Sequence, residues 1–113
     1  MYEPQSNEVL ENLWDLAKNP PSALNNVEFT GMEPSLPSIY KTGILAQSTI
    51  AAAALASTEI WKSRTGRSQT VTVDIDSASA SFRSENYLSV NGYDRFQTNK
   101  LKSENDIHGF YKC

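Results

Sequence analysis

The sequence holds a single cysteine, Cys113, and a single histidine, His108, in 113 residues. One thiol excludes an intramolecular disulfide, which fits a reducing compartment. Cys113 has no basic neighbour but Lys112, so a reactive thiolate is not expected there. A lone histidine with no cysteine or carboxylate at ligand spacing lacks the usual zinc signature. His108 therefore reads as a surface or packing residue, and no metal site is expected. A basic stripe is also missing: Lys100 and Lys102 stand close to Glu104 and Asp106, and the net charge is −3. That balance argues against nucleic acids and anionic membranes as partners. The most apolar stretch, Ile44 to Leu55, is broken by Gln47, Ser48 and Thr49 and falls short of the roughly 20 residues that a membrane span needs. The first residues lack the basic and apolar regions of a secretory signal. The expectation is a soluble, cytoplasmic chain.

Large apolar side chains are scarce too. The hydrophobic fraction is 39%, and much of it is alanine, which buries little area. One domain is the default for this length, but its core would be thin, so a protein partner or a homodimer is expected around it.

What is present is helical and strand periodicity. Val9, Leu10, Leu13, Trp14 and Ala17 recur at spacings of three and four, which predicts a helix from a cap at Ser6 or Asn7 to about Lys18. Trp14 is its core anchor. Pro20 and Pro21 stop it, and an irregular connection follows to Pro37. Within that connection Val27-Glu28-Phe29 reads either as a short strand or as a segment tucking Phe29 under the next helix. Ser38 can cap a long alanine-rich helix from about Ile39 to Arg64, with Gly43 as its weak point. Ile44, Ala51, Leu55 and Trp61 are expected near one face. Gly66 suits the left-handed position that ends a helix. Thr70 to Ile75 alternates strictly, which predicts a strand burying Val71, Val73 and Ile75. Asp76 or Ser77 can cap a third helix through Ala78, Ala80, Phe82 and as far as Tyr87. Val90-Asn91-Gly92-Tyr93 carries a turn signature, and Gly109 to Cys113 looks like the opening of a strand. The order of elements predicts an α/β fold with a mostly parallel, incomplete sheet. The segments are 1–37 (first helix and proline-rich connection), 38–90 (α/β segment) and 91–113 (irregular tail).

Few residues offer chemistry. Asp74 and Asp76 would share a face on a continuing strand, but Asp76 is better read as a helix cap and Asp74 as the solvent side of the strand. Thr65 to Gln69, with Arg64 and Arg67, lacks the glycine spacing of a phosphate loop and follows a helix rather than opening one. It reads as a tight helix-to-strand turn, with a phosphate or CoA contact by Arg67 left open. No nucleophile elbow occurs, and the residues alone assemble no active site.

One stretch does resemble a known family. Leu55-Ala56-Ser57-Thr58-Glu59-Ile60-Trp61-Lys62-Ser63-Arg64-Thr65-Gly66-Arg67-Ser68-Gln69, followed by Val71-x-Val73-Asp74, resembles the family III CoA-transferases of the CaiB/BaiF type. The likeness runs from about Leu36 to Leu88. Phe82-Arg83-Ser84-Glu85 and Ile107 to Tyr111 resemble the long fungal and bacterial members. The resemblance implies a Rossmann-like domain, an interlocked dimer, CoA or an acyl-CoA as substrate, and CoA transfer between carboxylic acids through an aspartyl nucleophile. No covalently bound cofactor is implied. The family aspartate lies just ahead of the alanine-rich helix, and that place falls near Ile44, a residue that cannot attack an acyl group. The family chains are several times longer. The expectation is therefore a fragment or a non-catalytic part of such an enzyme. The alternative is a small interaction protein that docks through the Ser38–Arg64 helix.

Overall fold

The computed structural model describes residues 5–87 together with Ser89 and Gly92. The chain divides into two compact units, Met1–Phe82 and Arg83–Cys113. The first contains helix α1 (Ser6–Leu16), a 3-10 helix (Pro21–Asn26), strand β1 (Val27–Thr30), helix α2 (Thr42–Thr65), strand β2 (Val71–Asp74) and helix α3 (Ile75–Ser81). In the second unit the described residues form a 3-10 turn at Ser84–Asn86, and Gly92 has φ +81°. Most of the turn expected at 90–93, the polar stretch 95–107, His108, and the strand opening at 109–113 with Cys113 lie outside the described residues.

β1 and β2 pair in parallel, with Val27 opposite Val71 and Thr30 opposite Asp74. Parallel neighbours need a crossover, and α2 supplies it, which makes β1–α2–β2 a βαβ unit of an α/β fold. Strand alternation decides which side of the sheet is covered. Val71 and Val73 are buried while Thr72 is exposed, and Val27 and Phe29 are half-buried while Glu28 and Thr30 are exposed. α2 packs on β1 and β2, α1 packs on α2, and the 3-10 helix touches both α1 and α2. Leu10, Ala46, Ala51, Val71, Val73 and Ala78 form the main core, and Trp14, Ala23 and Leu55 form a smaller one beside it.

Several boundaries differ from those read in the sequence. α1 starts without a side-chain cap, after Gln5, because Ser6 points inward and its hydroxyl donates to Gln47 Oε1. It ends at Leu16. Lys18 lies beyond the last turn in a left-handed conformation, φ +55°, where Asn19 N–H reaches back to the Trp14 carbonyl. α2 begins at Thr42, three residues later than expected, and Ser38 does not cap it. The Ser38 hydroxyl instead accepts the Tyr40 N–H at 3.0 Å, a local turn that competes with helix, and Ile39 and Tyr40 are exposed. Trp61 is 43% exposed. Six residues beyond Leu55, it sits roughly a third of a turn around the helix from it, so Trp61 leaves the face that buries Ile44, Ala51 and Leu55. β2 stops at Asp74. Ile75 is buried as expected but opens α3, and α3 ends at Ser81, before Phe82 and Tyr87, both exposed.

The close of α2 follows the sequence. Gly66 has φ +72° and donates its N–H to the Lys62 carbonyl at 2.8 Å. Nothing lies within 4 Å of the place a Cβ would take, so the cost of a side chain there is purely conformational. Gly66→Ala should lower unfolding stability by about 1 kcal/mol, read as a shifted urea midpoint with an unchanged slope.

Candidate functional site

The C-terminal ends of parallel strands and the N-terminus of the crossover helix are where open α/β sheets place their ligands. Here that region is a cleft of ≈ 240 Å³ whose walls include Ser6, Gly31, Glu33, Lys41, Ile44 and Gln47. Ligand sites usually enclose about 300–1,000 Å³, so the cleft is small for a nucleotide thioester.

Glu33 reaches it from the β1–α2 connection. Its Oε1 accepts the Ile44 N–H at 2.9 Å and its Oε2 accepts the Ser35 N–H at 2.9 Å. Partial burial pushes this carboxyl up, but the backbone donors of Ser35, Ile44 and Gly43, with the Lys41 ammonium, outweigh that and hold it below its ordinary value. The carboxylate thus does for α2 what a local cap does elsewhere: it satisfies orphan N–H groups and faces the positive end of the helix. It also explains the start at Thr42, since the helix begins where Glu33 can meet it. Gly43 is the residue that permits the approach, because a Cβ there would collide with Ser35 Oγ, Glu33 Oε1 and Ile75 Cγ1.

Glu33 makes a pH prediction. A carboxyl whose folded pKa is depressed adds stability that is present above its unfolded value and lost as pH falls through the folded one. Wild type should therefore lose stability on acidification below the ordinary glutamate pKa of 4.5, and Glu33→Gln should flatten that limb. At neutral pH the substitution should cost about 1–2 kcal/mol, measured by urea unfolding at a series of pH values.

Gln47, 2% exposed, also lines the cleft. Its Nε2 donates to the Thr30 carbonyl at 2.9 Å and to the Val73 carbonyl at 2.7 Å, while its Oε1 accepts the Ser6 hydroxyl. Ser48 Oγ donates to the Ser6 carbonyl at 3.1 Å. These bonds tie α1, α2 and both strand ends together and leave neither amide atom free. One side chain departs from this economy. Thr42 Oγ1 is buried without a partner, so Thr42→Val should be neutral or stabilising by up to about 1 kcal/mol, seen as a melting temperature that holds or rises.

The positions singled out in the sequence are not brought together. Ile44 lines the cleft and is 8% exposed. Arg67 follows the opposite end of α2, about 30 Å away by helical rise, and is exposed. Its N–H donates to Thr65 Oγ1 at 3.2 Å, and its guanidinium has no partner among the described residues. Asp74 and Asp76 do not share a strand face, because the strand ends between them. Asp74, not Asp76 or Ser77, caps α3: its Oδ1 accepts the Ser77 N–H and hydroxyl, both at 3.0 Å, and its Oδ2 accepts the Thr30 hydroxyl at 3.2 Å. The Ser77 N–H first and the Ser77 hydroxyl next hold the Asp74 carboxyl below its ordinary value, with smaller help from the Thr30 hydroxyl and the Asp76 N–H against a desolvation that raises it.

Sequence reading missed Glu33 and treated Gln47 only as a break in an apolar run. A buried-face position held by a glutamine was the available signal for the second; nothing local marked the first. Among the described residues, no group of three or more His, Cys, Asp or Glu side chains could hold a metal ion, and no helix is long and apolar enough to cross a membrane. The chain matches no family model, no curated protein and no solved structure.

Proposed function

We propose that this chain is a fragment or non-catalytic part of a CoA-transferase of family III type. The parallel βαβ unit, with Arg64-Thr65-Gly66-Arg67 at its helix-to-strand turn, is what such a part would contain. One observation carries the absence of catalysis. The cleft wall at the start of α2, where the resemblance calls for a nucleophilic aspartate, presents Ile44, and a hydrocarbon cannot form an acyl anhydride. The nearest carboxylate, Glu33, is a poor substitute, since both oxygens accept backbone N–H groups and its basicity is depressed. Incubating the chain with acyl-CoA donors and carboxylate acceptors should give neither CoA exchange nor a covalent adduct by intact mass. A CoA thioester or an acyl group trapped on any side chain would overturn the reading.

A second reading, a non-enzymatic docking protein that works through α2, is favoured by a separate observation. From Thr42 to Thr58 the helix carries no charged residue on any face, and its Leu45 is 52% exposed. A stable chain that fails to exchange CoA yet associates through α2 would select this reading.

A further inference from the structure

Residues 31–41 join β1 to α2 without helix or strand, and none of them is buried. Met32, Ile39 and Tyr40 are 84%, 91% and 74% exposed. Neither core cluster includes a residue of this segment, so apolar burial does little to hold it. Its local turns, made by Ser38 N–H to the Leu36 carbonyl and Tyr40 N–H to Ser38 Oγ, lie within the segment and tie it to nothing else. Polar links outward do that. Glu33 Oε1 accepts the Ile44 N–H of α2, and Ser35 Oγ lies 2.6 Å from Ser79 Oγ of α3. The bond from Ser35 N–H to Glu33 Oε2 joins the two links in one tight turn.

The same segment supplies part of the cleft wall, through Gly31, Met32, Glu33 and Lys41. Where it leaves β1, Gly31 has φ +84°, and a Cβ there would collide with Ile75 Cγ2. Glycine tolerates dihedral changes that other residues resist, which suits a hinge. Segments with few buried apolar contacts open at a fraction of what unfolding the whole domain costs.

From this geometry we infer that residues 31–41 form a gate on the cleft, latched by Glu33 to the start of α2, which swings out at Gly31 while the βαβ unit stays folded. Opening uncovers the Gly43 and Ile44 N–H groups that Glu33 now covers and takes away one wall of the cleft. The Leu10, Ala46, Ala51, Val71, Val73 and Ala78 core is untouched by the movement. The inference goes beyond the proposed function and rests on none of it, since it concerns access to the cleft and not what the cleft does.

Chymotrypsin acting on the native full chain tests this, because Met32, Leu36 and Tyr40 are cleavage sites within the gate and fragment masses report where each cut falls. An opening confined to the gate exposes little surface. Cleavage within 31–41 should therefore be nearly independent of urea below the unfolding transition, whereas cleavage through global unfolding rises with the full urea slope. At neutral pH, Glu33→Ala should speed cleavage in the gate at least about 10-fold, since it removes charge-assisted bonds. Ser79→Ala removes a neutral pair and should speed it less. Both should keep the shallow urea dependence. Cleavage of the wild-type gate that follows the global urea slope would overturn the inference, and this measurement decides alone should Glu33→Ala not fold. Gate cleavage no faster in Glu33→Ala than in Ser79→Ala would overturn the latch. None of these outcomes bears on CoA exchange.

Discussion

Gln47→Leu is expected to remove about 4 kcal/mol of unfolding stability, a large share of the 5–15 kcal/mol that holds a typical domain. Leucine fits the volume and is the residue an apolar helix face would ordinarily carry. It cannot, however, meet the Thr30 and Val73 carbonyls or the Ser6 hydroxyl, all of which Gln47 now satisfies. Groups stripped of water and left unpaired cost about 1–3 kcal/mol each. Gln47→Glu gives the sharper test. A carboxylate would face two carbonyl oxygens, so its folded pKa should rise above the unfolded one, and the folded state then binds more protons. Its stability should fall as pH rises and recover on acidification, opposite in sign to the Glu33 effect. Urea unfolding across pH reads both. A Gln47→Leu protein within about 1 kcal/mol of wild type would mean that water replaces the amide.

Much of the first unit was legible because its signals are local. The α1 periodicity, the glycine stop at Gly66, the alternating β2 and the parallel α/β arrangement depend on residues a few positions apart, and the structure carries all of them. Val27-Glu28-Phe29 proved to be a strand because β2 offers an edge at that register. The outer side of that sheet is polar, with Glu28, Thr30 and Thr72 exposed, whereas sheets covered by helices on both faces read as apolar throughout.

The illegible parts depend on partners far apart in the chain. The start of α2 is not legible locally: Ser38 looks like a cap in isolation, and nothing nearby says that Glu33, eleven residues before Ile44, does the capping. The same logic moved the α3 cap from Asp76 to Asp74: a strand that ends one residue early turns its last outward carboxylate into the first acceptor of the helix. Gln47 looks like an interruption in the sequence because hydropathy scores a residue's own polarity and not whether two strand ends will arrive to use it. In each case a polar side chain is spent on backbone atoms that lie far from it in sequence or beyond the expected element boundary.

Trp14→Ala is expected to cost about 3–5 kcal/mol, comparable to the loss of Gln47. Trp14 is 3% exposed and forms, with Leu55 and Ala23, the smaller core. Alanine neighbours cannot expand to fill the space of an indole, and the alanine-rich α2 that makes this core also makes it unforgiving. Part of the cost is polar, since Nε1 donates to the Pro20 carbonyl at 2.9 Å and so fixes the turn that carries the chain from α1 toward β1. Trp14→Phe separates the two contributions: it keeps most of the apolar area, loses the donor, and should cost about 1–2 kcal/mol. If both variants lost the same amount, the hydrogen bond that fixes the turn after α1, and not the packing of the indole on Leu55 and Ala23, would carry the cost. If neither lost more than about 0.5 kcal/mol, α1 would be dispensable to the βαβ unit, and the thin core would be thinner still.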